Sequence, residues 1–350
     1  MPHPRRAIRL KQWPEIDQRL WDKASEDADP LFEPGGAAHW KLKTRHTVMT
    51  HYGLWLAWLM EMGLLDPTVP PAARATRGRL GDYQQHLRAR GLAPVTIAAC
   101  IRDVHGAIKV MEPDADLTVI TDLLVRLNST AEPSRNKRLR VVSSGLLYEA
   151  AIREMRRLHK RRQNSGMRHI AGCYRDALII AFLALRPIRL ANLSAIELDR
   201  HLTKIGDRYW CRFAPAETKE GRPLEFPMPE SLTPWLDHYL ATYRLLLLRD
   251  RKSARLWISI RSTHMVDNSI YYRVTTCTKR FIGSPINPHL FRDCAATTIA
   301  ELAPEDVGII SRILGHSNLA TAELYYNQAG MVIVGRRYHQ ALEALRDKLD

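Results

Sequence analysis

The sequence has few of the features that mark secreted, membrane-spanning and metal-binding proteins. Its five cysteines are scattered over 350 residues without a CxxC pair, so we expect reduced thiols rather than a disulfide framework or a zinc site. The longest purely apolar run, Ala177 to Leu185, has nine residues, whereas a membrane-spanning helix needs about 20. No apolar stretch follows the first residues, Met1 to Arg6, so no secretory signal is expected.

Acidic residues are also in deficit. There are 37 Asp and Glu against 52 Lys and Arg, which gives a formal net charge of +15. This excess indicates a polyanionic partner, of which nucleic acid is the first candidate and a membrane surface the second. The sequence contains no strongly basic amphipathic helix that would support binding to a membrane surface. The apolar fraction of 45% and charged fraction of 25% exclude a mainly disordered chain, a collagen and a coiled-coil rod. The length favours two or three domains.

The first part of the chain predicts a small helical domain. Residues 1–38, with five prolines and the Gly35-Gly36 pair, are interpreted as an N-terminal arm or loosely packed cap. Apolar residues then recur at helical spacing through 39–128. We predict helices around 48–62, 76–89, 94–111 and 118–127. Residues 129–144 are polar and basic and are interpreted as a linker, which could also lie along the phosphates of a duplex.

The second part, 145–330, predicts a larger domain with a short β-hairpin. Arg208 to Phe213 and Pro223 to Pro227 have the composition of strands, and Glu220-Gly221 lies at the turn between them. A third short strand is expected at Arg255 to Ile260. The remaining segments predict helices at 146–162, 174–188, 231–248, 268–281, 289–302, 305–314, 318–328 and 335–349. The fold class is therefore mainly α with a small antiparallel β-sheet, in two domains.

Four local patterns in the second domain carry cations, imidazoles and a phenol. The first is Arg186-Pro-Ile-Arg-Leu-Ala-Asn-Leu, after an apolar helix, and the second is Glu217-Thr-Lys-Glu-Gly-Arg, in the hairpin. The third, Pro288-His-Leu-Phe-Arg-Asp, is an HxxR motif. The fourth, Leu314-Gly-His-Ser-Asn, is followed by a tyrosine, Tyr325.

In this order and spacing, the four patterns resemble the tyrosine recombinase (phage integrase) family. The resemblance covers about residues 40–330 and implies a two-domain DNA clamp, with a helical core-binding (SAM-like) domain at 39–128 and a tyrosine-recombinase catalytic domain at 145–330. It implies strand cleavage without a metal, ATP or other cofactor. The residues that match the family's catalytic set are Arg189, Lys219, His289, Arg292, His316 and Tyr325.

The chemistry of these side chains fits phosphodiester cleavage. Attack at phosphorus builds charge on the non-bridging oxygens, and the guanidiniums of Arg189 and Arg292 can each bind two of them. Lys219 can protonate the leaving oxygen. His289 can act as a general base, and His316 can donate to the phosphate. Tyr325 would form a 3′-phosphotyrosyl link that stores the bond energy.

Several of these positions have competitors. Arg186 competes with Arg189, Arg222 could take the hairpin role of Lys219, and Tyr326 beside Tyr325 is interpreted as a packing residue. Two residues depart from the family pattern, in which an acidic residue usually lies three positions after the first arginine and a histidine usually follows the HxxR arginine. Here these places hold Asn192 and Asp293. Both are interpreted as supporting positions, and Asp293 could orient a neighbouring cation or lower the rate.

Basic residues of the linker and of the next helix are candidates for DNA contacts, although a run of charge on a helix is often only a solvated face. The candidates are Arg135, Lys137, Arg138, Arg140, Arg157, Lys160 and Arg161. The C-terminal segment 331–350 predicts an amphipathic helix, with Val334, Tyr338 and Leu342 on one face. It could dock on its own domain or, as the resemblance implies, on a neighbouring protomer.

The resemblance implies a site-specific DNA recombinase that works in the cytoplasm, associated with the nucleoid when bound to DNA. Its expected partners are double-stranded DNA with an inverted-repeat site, three further copies in a tetramer and possible accessory directionality factors. Two alternatives stay open. One is a type IB topoisomerase-like or telomere-resolving enzyme with the same chemistry, and the other is a catalytically weak DNA-binding regulator with the same fold.

Overall fold

The protein is described by a computed structural model that covers residues 6–27, 35–130, 140–160 and 166–302. The chain divides into two compact units, Met1–Asn136 and Lys137–Asp350. Both are built largely of helices, and the second contains a three-stranded antiparallel sheet. The predicted fold class, mainly α with a small antiparallel sheet, is therefore confirmed. Within the described residues, no helix is long and apolar enough to cross a membrane.

The first unit is a bundle in which one long helix, α5 (Pro94–Met111), contacts all five of the other described α-helices. Its apolar positions recur at helical spacing and are buried against α1, α2 and α6, which produces a single core. Pro94 begins α5, and the Thr76 hydroxyl caps α4. The described helices of this unit are α1 (Glu15–Ser25), α2 (Leu42–Glu61), α3 (Pro71–Arg74), α4 (Arg77–Ala89), α5 (Pro94–Met111) and α6 (Thr118–Thr130).

The N-terminal segment differs from the predicted arm, because residues 6–27 pack into the first unit. Trp13 and Trp21 are 3% and 2% exposed and belong to its core. The segment crosses α2 closely: a Cβ at Gly53 would lie 2.4 Å from the Ile8 carbonyl oxygen. Only glycine fits there. The two indoles and this glycine were not used in the sequence interpretation, which weighed the prolines instead.

A buried ion pair fastens α1 to the rest of the first unit. Arg74 Nη1 donates to both carboxylate oxygens of Asp17, at 2.9 and 2.7 Å, and both side chains are fully buried. The Tyr52 hydroxyl also donates to Asp17, at 2.7 Å, and Arg74 Nε donates to the Asp66 carbonyl. The carboxylate on α1 is therefore held by side chains from α2 and α3.

The second unit surrounds an apolar helix, α8, which is buried along nearly its whole length from Ala171 to Ala184. Pro187 prevents the helix from continuing, so α8 ends at Leu185, earlier than predicted. A helix of α, π and α segments follows the sheet at Thr233–His238, Tyr239–Tyr243 and Arg244–Leu248. The two α segments of that helix are α10 (Thr233–His238) and α11 (Arg244–Leu248). The other described helices of the unit are α7 (Ser144–Lys160), α8 (Met167–Leu185), α9 (Leu190–Ala195), α12 (Asp267–Ile282) and α13 (Leu290–Leu302).

The sheet has the order β1-β2-β3, with all neighbours antiparallel. Strands β2 (Arg208–Phe213) and β3 (Leu224–Pro227) were predicted, whereas β1 (Leu202–Ile205) was missed. The signal for β1 was present: Gly206, with a φ of 58°, begins a two-residue turn between Ile205 and Arg208. The strand expected at Arg255 to Ile260 is wrong, because Arg255 forms only an isolated bridge with Glu197.

Breaking the buried ion pair should destabilise the first unit strongly. The Arg74→Met variant leaves the Asp17 carboxylate buried without its cation, and we expect a loss of about 3–5 kcal/mol of opening free energy. Native-state hydrogen exchange of the α5 amides measures this. The control is Asp27→Asn, which removes an exposed carboxylate 3.8 Å from Arg45 and should change little. Equal effects of the two variants would contradict the role of the buried pair.

The first unit should also lose stability as the pH rises. His51 Nδ1 lies 2.5 Å from Asp103 Oδ2, and hydrogen bonds to Asp103 and then Cys100 raise the pKa of His51 to about 9 from 6.5. The stabilisation is complete below pH 6.5 and is lost as the pH passes about 9. Urea unfolding between pH 6 and 9.5 should show this decline in the wild type and in His46→Gln, but not in Asp103→Asn. The same slope in all three proteins would refute the assignment.

Candidate active site

The loop between α8 and α9 carries both arginines that compete for the first catalytic position, and the structure gives them different surroundings. The Arg186 guanidinium donates to the Pro227 carbonyl at 3.2 and 3.3 Å and lies over the Phe226 ring. Burial lowers the pKa of Arg186. Arg189 lies at the N-terminal end of α9, with about a quarter of its side chain exposed. Arg186 therefore joins the loop to β3 through a backbone carbonyl, a contact that Arg189 does not share.

Arg189 forms an ion pair with the hairpin. Its Nη2 lies 2.6 Å from Glu220 Oε1, and both side chains are about three-quarters buried. Glu220 follows Lys219 directly in the turn between β2 and β3, and the Lys219 residue is exposed. The ion pair thus holds the turn that carries Lys219 close to Arg189.

The base of the hairpin is held by a hydrogen-bond network. The Asn192 amide donates to the Glu217 carbonyl at 3.0 Å, and Asn192 is 5% exposed. Glu217 accepts from the Ala214 amide at 2.9 Å and from His201 Nε2 at 3.1 Å, and it pairs with Arg200. The Ala214 amide first, and then His201, lower the pKa of Glu217. Asn192 accordingly joins α9 to the base of the hairpin, and its interpretation as a supporting position stays a prediction.

The HxxR motif lies at the start of α13. Arg292 is 5% exposed, and its Nη1 donates to the Pro187 carbonyl at 2.9 Å. His289 directly precedes α13 and is exposed, and its carbonyl accepts from the Arg292 amide. The Asn287 side chain accepts from the Leu290 amide at 3.0 Å, and Asp293 places an acid in the first turn, where the helix dipole favours it. Arg292 is thereby fixed beside the loop that carries Arg189.

Two members of the predicted catalytic set, His316 and Tyr325, lie outside the described residues, as does the C-terminal segment 331–350. Four of the predicted catalytic residues are described, and the contacts above bring them to the α8–α9 loop, the hairpin and the start of α13. Their roles stay predictions. Arg222, the alternative to Lys219, lies at the far side of the same turn, where its amide donates to the Thr218 hydroxyl at 3.1 Å.

Only three of the residues predicted to bind DNA are described. Arg140 donates to the Pro285 carbonyl. Arg157 forms a bidentate pair with Glu154 at 2.7 Å, which raises the pKa of Arg157. Lys160, at the end of α7, is exposed. Two of the three are therefore engaged within the second unit, and the other four predicted residues lie outside the described part: Arg135, Lys137, Arg138 and Arg161.

Sequence reasoning missed Glu220, Glu217 and His201 as parts of this site. Their spacing gave no signal, because the contacts join the hairpin to α9 and to the turn before β1. An acidic residue beside Lys219 was visible, but its partner depends on how the hairpin folds back. The chemistry of the motif residues could be predicted, whereas the residues that hold them required the structure.

Comparison with known proteins supports the same grouping. The profile of the phage integrase family matches residues 131–330. The tyrosine recombinase XerD of Pseudomonas aeruginosa is 32% identical over 100 residues, which are 28% of this chain and 33% of the relative. The chain thus spans about a third of the length of the curated relatives that match first. XerD of Chlorobaculum tepidum is 23% identical over 81% of this chain and 84% of its own.

Solved structures share the fold at low sequence identity. XerH site-specific recombinase bound to palindromic difH substrate covers 96% of this chain and 99% of its own, with a TM-score of 0.55 and 14% identity. The Tn1549 transposon integrase in complex with transposon right end DNA covers 92% and 99%, with a TM-score of 0.58 and 15% identity. Since the family profile covers more than half of the sequence and includes all four motifs, the chain belongs to the phage integrase family.

Proposed function

We propose that this protein is a site-specific DNA recombinase, which cleaves and rejoins DNA strands through a 3′-phosphotyrosyl intermediate on Tyr325. The observation that carries the proposal is the convergence of three motifs on one loop. Arg189 lies on the α8–α9 loop, Arg292 donates to the carbonyl of Pro187 in the same loop, and Glu220 joins the Lys219 hairpin to Arg189. Membership of the phage integrase family, and the similarity to a tyrosine recombinase and to a transposon integrase, support the proposal.

The proposed reaction exchanges one phosphate ester for another. The Tyr325 oxygen attacks phosphorus while the bond to the 5′-oxygen breaks, and His289 takes the phenolic proton. Lys219 gives a proton to the departing 5′-oxygen. Arg189, Arg292 and His316 stabilise the charge that develops on the non-bridging oxygens. Attack by a 5′-hydroxyl on the tyrosyl phosphate then reseals the strand, so the bond energy is conserved and no metal or ATP is consumed.

The proposed partners follow from charge and from the relatives. A net charge of +15 favours a duplex, and two of the solved neighbours are complexes with DNA. We expect protomers to bind an inverted-repeat site in pairs and to assemble as a tetramer, with possible accessory directionality factors. We also expect a cytoplasmic location, with DNA contacts that include the linker and α7.

The relatives and neighbours named above are recombinases and an integrase, which does not favour a topoisomerase-like or telomere-resolving enzyme or a catalytically weak regulator. Two assays separate these possibilities. Relaxation of a supercoiled plasmid without two-site exchange would identify a topoisomerase-like enzyme. Binding to DNA with no covalent product on a nicked suicide substrate would identify a regulator.

The Tyr325→Phe variant should bind DNA but form no covalent protein–DNA adduct, because the attacking oxygen is gone. A binding site is first selected with the protein from a pool of inverted repeats of random sequence. The selected site is then built into a nicked suicide duplex, and covalent adducts are measured on a denaturing gel. Tyr326→Phe is the matched control and should still form the adduct. An adduct that persists in Tyr325→Phe would overturn the nucleophile assignment.

The Glu220→Gln variant should form the adduct faster than the wild type. A phosphate that binds Arg189 has to displace the Glu220 carboxylate, and a solvent-accessible ion pair of this kind is worth up to about 1 kcal/mol, so we expect a gain of about 2–5-fold. Glu225→Gln is the matched control, since it removes the same charge from β3, where Glu225 pairs with Arg212 at 2.7 Å. Equal gains would assign the effect to net charge, and a slower Glu220→Gln variant would contradict competition with phosphate.

A further inference from the structure

The turn that carries Lys219 is held from two sides. At the tip, the Thr218 hydroxyl donates to the Arg222 carbonyl at 2.7 Å and accepts from the Arg222 amide at 3.1 Å, and Gly221 takes a φ of 66°. At the base, the Glu217 carbonyl accepts from Asn192 Nδ2 at 3.0 Å. Lys219 therefore follows, by two residues, a backbone atom that is fastened to α9.

Asn192 lies one helical turn after Arg189 on α9, and α9 is itself fixed, because the Trp257 indole donates to the Leu193 carbonyl at 3.0 Å. The bond from Asn192 thus sets the hairpin against the helix that begins at Arg189. A proton donor acts only from within about 3 Å of its target, and a misplacement of about 1 Å can cost 100-fold in rate.

The identity of residue 192 follows from the polarity of this contact. The Glu217 carbonyl is an acceptor, so its partner must be a donor. The amide of Asn192 supplies an N–H, whereas an ionised carboxylate of the same shape has none. The Glu217 carboxylate accepts from the Ala214 amide and His201 instead. An acid at position 192 would therefore face the carbonyl, an acceptor, without a proton to donate.

His201 completes the support as a hydrogen-bond donor. Its Nδ1 accepts from the Glu197 amide at 3.1 Å, so Nε2 carries the proton that is donated to Glu217. The His201 ring is 3% exposed and stacks on Phe213 of β2. The Glu217 side chain is thus fixed by the turn before β1, while its carbonyl is fixed by α9.

We propose that Asn192 is a positioning residue for proton delivery: through the Glu217 carbonyl it places Lys219 at the 5′-oxygen that leaves when the DNA strand is cut. This role rests on the proposed recombinase function. When the bond from phosphorus to the 5′-oxygen breaks, the oxygen takes the proton of the Lys219 ammonium, which becomes a neutral amine. The role of Asn192 is to hold the turn, and Asn192 does not touch the DNA.

Replacing the leaving 5′-oxygen by sulfur distinguishes a role of Asn192 in positioning Lys219 from a general structural role of Asn192. In a suicide duplex with a bridging 5′-sulfur at the cut, the thiolate leaves without a proton, so a misplaced Lys219 no longer matters. We expect Asn192→Asp and Asn192→Ala to slow adduct formation about 10–100-fold on the oxygen duplex and to approach the wild-type rate on the sulfur duplex. Lys219→Ala should show the same rescue from a larger loss, about 10²–10⁴-fold.

The ratio of the adduct-formation rates on the sulfur and oxygen duplexes does not depend on how much protein is folded, so the ratio remains informative if a variant is unstable. Tyr239→Phe is the control, because it removes a buried hydroxyl that donates to the Leu256 carbonyl and accepts from the Ile258 amide, away from the hairpin, and its ratio should equal that of the wild type. An unchanged ratio in both Asn192 variants would overturn the positioning role. A wild-type protein that forms no adduct on either duplex would instead overturn the recombinase proposal, and this role with it.

Discussion

The hydrogen bond from the Arg292 guanidinium to the Pro187 carbonyl is the contact on which the candidate site depends. It joins segments 105 residues apart at the point where α8 ends and its last carbonyls need new partners. Arg186 makes the complementary contact, from the same loop to the Pro227 carbonyl of β3. The loop is therefore tied in both directions, by the buried Arg292 and the partly buried Arg186, while Arg189 keeps a carboxylate partner that an anion can replace. Arg186 and Arg292 thus donate to backbone carbonyls, whereas Arg189 pairs with a carboxylate.

Much of the fold followed from the sequence where a local pattern and its surroundings agreed. Helix α5 and strand β2 have the bounds that proline, periodicity and strand composition predicted. Strand β1 was missed because four residues with one buried position give little periodicity, although its Gly206 turn was readable. The N-terminal segment was misjudged because its prolines suggested an arm, while the packing of Trp13 and Trp21 depends on residues distant in sequence.

For the candidate site, too, some features could be predicted from the sequence and others required the structure. Residue types that suit phosphate chemistry could be read from the four motifs, since guanidinium, ammonium and imidazole groups have few substitutes in that work. The choice between Arg186 and Arg189 gained a physical basis only from the structure, where one guanidinium serves a backbone carbonyl and the other faces Glu220. The partners of Asn192 were beyond sequence reasoning, because a carbonyl acceptor carries no side-chain signature.

The close crossing of Gly53 by the N-terminal segment bears on how the helical unit can be produced in isolation. A fragment that begins at His39, where the helical pattern starts in the sequence, would retain α2 to α6. It would lack Trp13, Trp21 and Asp17, so the indole-lined side of α2 would face water and the Arg74 guanidinium would lie under it without an anion. Such a fragment should aggregate or unfold, and biophysical work on the isolated unit needs a fragment that keeps α1.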